Sequence, residues 1–156
     1  ALGAAFELCS ERVPELAREI ADWEEGRRIT IGVHPSGPYV SIEKRGQRIA
    51  CMGPVKAEHP DLQIRFKNLE SALLIFTAQM GGHDAVVECR VGVTGDNAMA
   101  MQMNRAMAIV QAYLFPAILH HRLFKRAPRM TTAQLAVKAQ IMGLLAPRLF
   151  FVVGRK

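Results

Sequence analysis

Between Arg28 and Thr94, apolar residues fall at every second position in five separate runs. This pattern constrains the fold more than any other, because residues two apart share one face of a strand. In the first run Ile29, Ile31 and Val33 alternate with Arg28, Thr30 and Gly32. Residues 39–44 repeat the pattern with Val40 and Ile42, and residues 48–52 with Ile49 and Cys51. Residues 61–67 set Leu62, Ile64 and Phe66 against Asp61, Gln63, Arg65 and Lys67. Residues 86–94 set Val87, Cys89, Val91 and Val93 against Glu88, Arg90 and Thr94. Each run has one apolar face and one polar face. Such a set predicts an antiparallel or mixed sheet covered on a single side. The turn sequences His34–Pro38 and Lys44–Gln47 make the first three runs a meander.

The covering layer is predicted as helices. Ser10 reads as the cap of a helix that runs to about Glu25 and stops at Gly26. Pro14 falls in its first turn, where no backbone donor is needed. Its stripe is Val13, Leu16, Ala17, Ile20 and Trp23. Residues 53–60 form a linker. Asn68 caps a second helix with Leu69, Leu73, Phe76, Thr77 and Met80 at its apolar positions. Gly95-Asp96 ends the fifth strand and caps a long helix with Met99, Met103, Ala106, Met107, Val110, Tyr113 and Leu114 on one stripe. Pro116 kinks or ends it, and a further helix runs to about Lys125. Thr131 and Gln134 form a capping box for a last helix, which Pro147 closes. That helix is apolar nearly all round, so it belongs in a core, a dimer interface or a lipid contact.

A chain of 156 residues, half of them hydrophobic, suffices for one domain with a sizeable core. Aromatic residues are only 6%, so aliphatic side chains and methionine must fill it. Four of the eight methionines (Met99, Met101, Met103 and Met107) crowd into one segment. Methionine suits irregular gaps and surfaces that accept many shapes. Met101 lies about 100 degrees or more off the stripe, where another helix would meet it. The three cysteines, Cys9, Cys51 and Cys89, are odd in number and include no CxxC pair. That argues against a disulfide framework or a structural zinc and fits a reducing compartment. The first residues show no secretory pattern, and the longest uncharged run is too short to span a bilayer. The expected location is cytoplasmic, with room for peripheral attachment to membranes.

Charge is unevenly distributed beneath a net +6. Seven acids and two arginines precede Gly26, whereas no acid follows Asp96 and nine basic residues do. A basic C-terminal part suits an anionic partner such as a membrane surface. A solvated face, or pairing with the acidic N-terminal helix, accounts for it equally well. Nucleic acid is disfavoured, since few aromatic residues interleave with the basic ones.

Catalytic constellations are missing. There is no GxSxG, no phosphate-cradling glycine loop and no HExxH. Ser36 beside His34 reads as a turn serine. His120 and His121 are adjacent and point apart on a helix. Cys89 reads as a small buried hydrophobe on a strand. Glu88 and Arg90 read as a solvated pair, with Arg90 placed to hold a carboxylate were it at a tunnel mouth. No catalytic residue, metal or cofactor is expected.

The stretch Asp61–Met80, a gap of about seven residues, and then Glu88–Met103 resembles the sterol carrier protein family, the nonspecific lipid-transfer proteins. The resemblance rests on the strand opened by Asp61, the double leucine Leu73-Leu74, the Thr94-Gly95-Asp96 turn and the Ala/Met-rich Ala98–Met101. It implies an α+β fold: a five-stranded, mostly antiparallel sheet covered by helices on one face, with an apolar tunnel between the layers. It also implies non-enzymatic carriage of fatty acids, fatty acyl-CoA or sterol-like lipids. The chain departs from the family by running on to Lys156, and by ending without an SKL-like peroxisomal address. A carrier-like domain over residues 1–125 with a C-terminal helical extension over 126–156 is therefore expected. The extension is a lid or an interface, and a homodimer is one outcome. The expected lipid wall comprises Leu73, Phe76 and Met80, Val91 and Val93, and Met99, Met103, Met107 and Val110. The alternative is an interaction or dimerisation module, or an accessory subunit of a lipid-metabolising enzyme.

Overall fold

β1 (Arg28–Val33) is the strand on which the sheet is built. It pairs antiparallel with β2 (Tyr39–Arg45) and parallel with β4 (Leu62–Phe66). β3 (Arg48–Gly53) and β5 (Val91–Gly95) add antiparallel at the two edges, giving the order β3-β2-β1-β4-β5. Ile29 stands opposite Ile42 on one side and Leu62 on the other, and Ile31 opposite Val40 and Ile64. The alternation in each strand therefore lands in register, and one face of the sheet is continuously apolar. The computed structural model describes residues 2–76, 79–114 and 132–153.

The N-terminal helix differs from the sequence reading. It is two helices, α1 (Leu2–Arg12) and α2 (Pro14–Ala21), with Val13 extended between them. Pro14 lacks an N–H and pushes the residue before it out of the helical region, so the chain breaks there. Ser10 is no cap. It lies in the last turn of α1, where its hydroxyl donates to Glu7 O at 2.7 Å and accepts from Ile49 N at 3.1 Å. The start at Leu2 follows from Ala5, Phe6 and Cys9, which extend the buried stripe upstream.

The fifth strand is shorter than its alternation predicts. Gly82–Val87 is a helix, α4, and pairing begins only at Val91. Ala85 is fully buried on the inner face of α4, and Arg90 N closes the helix on Ala85 O at 2.8 Å. Cys89 takes a left-handed φ of 54° in this turn and is exposed, so it is not the buried strand residue expected. α3 (Leu69–Phe76) is capped as expected, Asn68 Oδ1 accepting from Ser71 N at 2.8 Å. Its phase differs, though. Ser71, Ala72 and Ile75 face inward, which turns Leu69 and Leu73 out to solvent.

Gly95 adopts φ 129° against Asp61 O, a position no side chain fits, and this turns the chain into α5 (Asn97–Leu114). Asp96 Oδ1 caps that helix through Ala98 N at 3.1 Å. The last helix, α6 (Thr132–Val153), runs on through Pro147 instead of stopping there. Proline removes one donor, and bonded turns on either side hold such a helix together. Gln134 donates to Glu15 Oε1 at 2.7 Å, tying α6 to α2. Thr131, Pro116, the expected helix to Lys125, His120 and His121, and most of the C-terminal basic residues lie outside the described residues.

α1 lies on β2 and β3, while α5 packs against α1, α2 and α6. α3 and α4 close over β4 and β5. Phe6, Leu16, Ile20, Ile29, Ile42, Leu62, Met99, Met103 and Ile141 meet between the layers and are fully buried. The opposite face of the sheet is not wholly open. Ser41 Oγ donates to Val55 O at 2.7 Å and accepts from Ala57 N at 3.1 Å, so the linker after β3 covers the centre of that face.

Candidate ligand cleft

An apolar cleft of about 130 Å³ opens between α5 and the β4–β5 edge of the sheet. Its floor is two cross-strand pairs, Ile64 with Val93 and Phe66 with Val91. Its roof is α5, through Ala100, Met103, Asn104 and Met107, with Met101 at the rim. These positions follow i, i+3, i+4, i+7, one face of the helix. Ile75 of α3 and Gly82 and Val86 of α4 close the end. Met101 is 45% exposed and Val93 39%, so the cleft communicates with solvent along that side.

The electrostatics are simple. Among the described residues, none that lines the cleft is charged, and Asn104 brings the one polar side chain. Arg90 at the start of β5 is held by Glu88 at 2.6 Å. Arg65 points to the opposite face, where its guanidinium donates to Thr94 Oγ1 at 3.1 Å. The titratable groups with altered affinity sit elsewhere. Burial pushes the Cys9 thiol up to about 12 and the Lys138 ammonium down. Glu15 is held below its ordinary value by its own backbone N–H and by Gln134. None of these lines the cleft.

No protein-family model and no curated protein sequence matches the chain. Solved structures do. The UbiJ-SCP2 ubiquinone synthesis protein aligns with a TM-score of 0.54 at 9% identity, covering 70% of this chain and 88% of its own. A sterol carrier protein 2 crystal structure aligns at 0.50 with 14% identity, covering 70% and 95%. The apo form of sterol carrier protein 2 from Yarrowia lipolytica gives 0.50 at 8% identity, covering 70% and 89%. The fold is that of the sterol carrier proteins. It accounts for most but not all of the chain.

Within this sterol carrier fold the expected wall residues fall into four groups. Val91, Val93, Met103 and Met107 line the cleft. Met99 and Val110 are fully buried on the neighbouring stripe of α5, in the core with Leu16 and Ile20. Phe76 stacks edge-on against Phe66 at 5.1 Å and backs the wall from behind. Met80 is half-buried against the core, and Leu73 is 54% exposed. Met101, expected to meet another helix, is instead at the cleft rim. Sequence reasoning missed Ile64, Phe66, Ile75, Gly82, Val86, Ala100 and Asn104 as cleft residues. One signal was available: Ala100 and Met101 extend the apolar stripe of α5 sideways beyond what the core needs. Asn104, a lone polar residue on that flank, carried none.

Proposed function

We propose that the protein binds single lipid molecules non-covalently in this cleft and carries them without chemical change. The observation that supports the reading is the lining itself, apolar on the sheet, on α5 and on the α3–α4 end. Each methylene removed from water stabilises by about 0.8 kcal/mol, against the entropy lost on association. An acyl chain can therefore bind at roughly micromolar strength with few polar contacts. Among the described residues, none of the side chains that line the cleft is a nucleophile, an acid or a base, which favours carriage over catalysis. Fatty acids, fatty acyl-CoA and sterol-like molecules are the ligand classes to test.

The volume adds a condition. A cavity of about 150 Å³ takes a benzene ring, and most small-molecule pockets start near 300 Å³. The cleft, at about 130 Å³, must widen to accept a whole chain. Met101, Met103 and Met107 are suited to this, because methionine repacks with little strain.

Delipidated protein titrated with a panel of fluorescent acyl lipids tests the reading. Uptake is expected at micromolar concentration. Ala100→Trp, which fills the cleft, is expected to weaken uptake at least about 10-fold with the far-UV circular dichroism unchanged. No uptake of any member of the panel would end the proposal. A second reading, an accessory or self-association module, draws on Leu135 and Leu144, which are exposed on α6. A monomeric mass in solution that does not change with concentration would remove its self-association form. Among the described residues, no helix is long and apolar enough to cross a membrane.

A further inference from the structure

Asn104 is the polar side chain at the solvent-facing mouth of the cleft. It projects from α5 into a lining that is otherwise aliphatic, aromatic, methionine or glycine. Its carboxamide lies against Gly82, so closely that a Cβ there would collide with Asn104 Oδ1. The glycine at the start of α4 is thus what lets the amide reach the cleft. Asn104 is exposed there, and within the described residues its carboxamide has no hydrogen-bond partner, so it is open to a ligand's head; on the same helix Arg105 is engaged by Glu19 at 2.9 Å and Gln111 by Ile75 O at 2.9 Å.

An amide offers a carbonyl acceptor and an NH₂ donor and carries no charge. Its natural complement is a group that both donates and accepts, or only accepts, and is itself neutral. Among the described residues, an anionic head would find no cation in the lining. Arg90 is occupied by Glu88, and Arg65 is on the far face with Thr94. A carboxylate or phosphate drawn against this lining gives up part of its hydration without gaining a counter-charge.

We infer that the cleft selects neutral lipids, holding a hydroxyl or carbonyl head on the Asn104 amide while the apolar part fills the space beyond. The inference rests on the lipid-binding reading above and narrows its ligand class. Asn104 acts here as a specificity-determining residue, and Gly82 as the residue that makes room for it.

The test compares 1-tetradecanol with tetradecanoate at pH 8, where the acid is ionised, by displacement of a fluorescent acyl probe. The alcohol is expected to bind about 10-fold more tightly in the native protein. Asn104→Leu is expected to weaken the alcohol about 5-fold relative to a chain of equal length without a head group. Asn104→Lys supplies the missing cation and is expected to reverse the order in favour of the carboxylate. Circular dichroism of both variants confirms that α5 is intact. Equal or tighter binding of the carboxylate by the native protein overturns the inference while leaving lipid binding in place. So does an Asn104→Leu protein that loses affinity for the headless chain as strongly as for the alcohol. Absence of binding by every chain overturns both readings.

Discussion

At Cys9 the side chain is fully buried and burial pushes the thiol up to about 12, whereas Cys89 is exposed in the turn after α4. The thiolate is the reactive species, so the two should differ sharply. With a thiol reagent at neutral pH, Cys89 is expected to label first and Cys9 only after unfolding, with mass mapping as the readout. Early labelling of Cys9 would contradict the packing of α1. Glu15 offers a second residue-level expectation. Its folded-state affinity for protons is lowered, so it contributes stability that is present above the ordinary glutamate value of about 4.3 and is lost as pH falls through the lower folded value. Glu15→Gln should therefore flatten the decline in melting temperature below that pH and leave the remaining carboxylates to account for the rest.

Single elements carry the next expectations. Ile141 is the fully buried anchor of α6, and Arg12 reaches Gln140 on the same helix at 3.2 Å. Ile141→Ala is expected to cost about 2–5 kcal/mol, read as a single cooperative melting transition at lower temperature. Two separate transitions would mean that α6 melts apart from the sheet. The elements also show where sequence reading succeeds and where it stops. The first four strands were legible because Ile29, Val40, Ile49 and Leu62 alternate in runs bounded by turns, and a sustained period of two matches a strand and not a helix. The stretch 82–90 was not, because Val87, Cys89 and Val91 alternate across a helix end, a turn and a strand start. Only the burial of Ala85 and the match to the five residues of β4 decide it, and both are tertiary. The site was half legible for the same reason. Periodicity gives the apolar face of α5, and Met103 and Met107 with it. It does not give which neighbour each side of that face meets, so Met99 and Val110 go to the core and Ala100 and Asn104 to the cleft.

Across the whole molecule, a lipid that binds the folded state alone should raise its stability by mass action. At a ligand concentration about 100 times the Kd the gain is roughly 2.7 kcal/mol, or about 5–10 °C for a chain of this size. Thermal scans with and without lipid should show that rise, and Ala100→Trp protein should not. The sheet order has one further consequence. β1 is bonded on both sides, but β5, the strand that floors the cleft, pairs among the described residues with β4 alone and is mostly exposed. Local opening is cheapest where few contacts hold a strand. Backbone amides of β5 should then trade hydrogen for deuterium well before those of β1, and a bound lipid should slow them selectively. Under the proposed function, the expected route by which a longer guest enters the 130 Å³ space is a transient parting at the sheet's edge, with the centre of the protein left undisturbed.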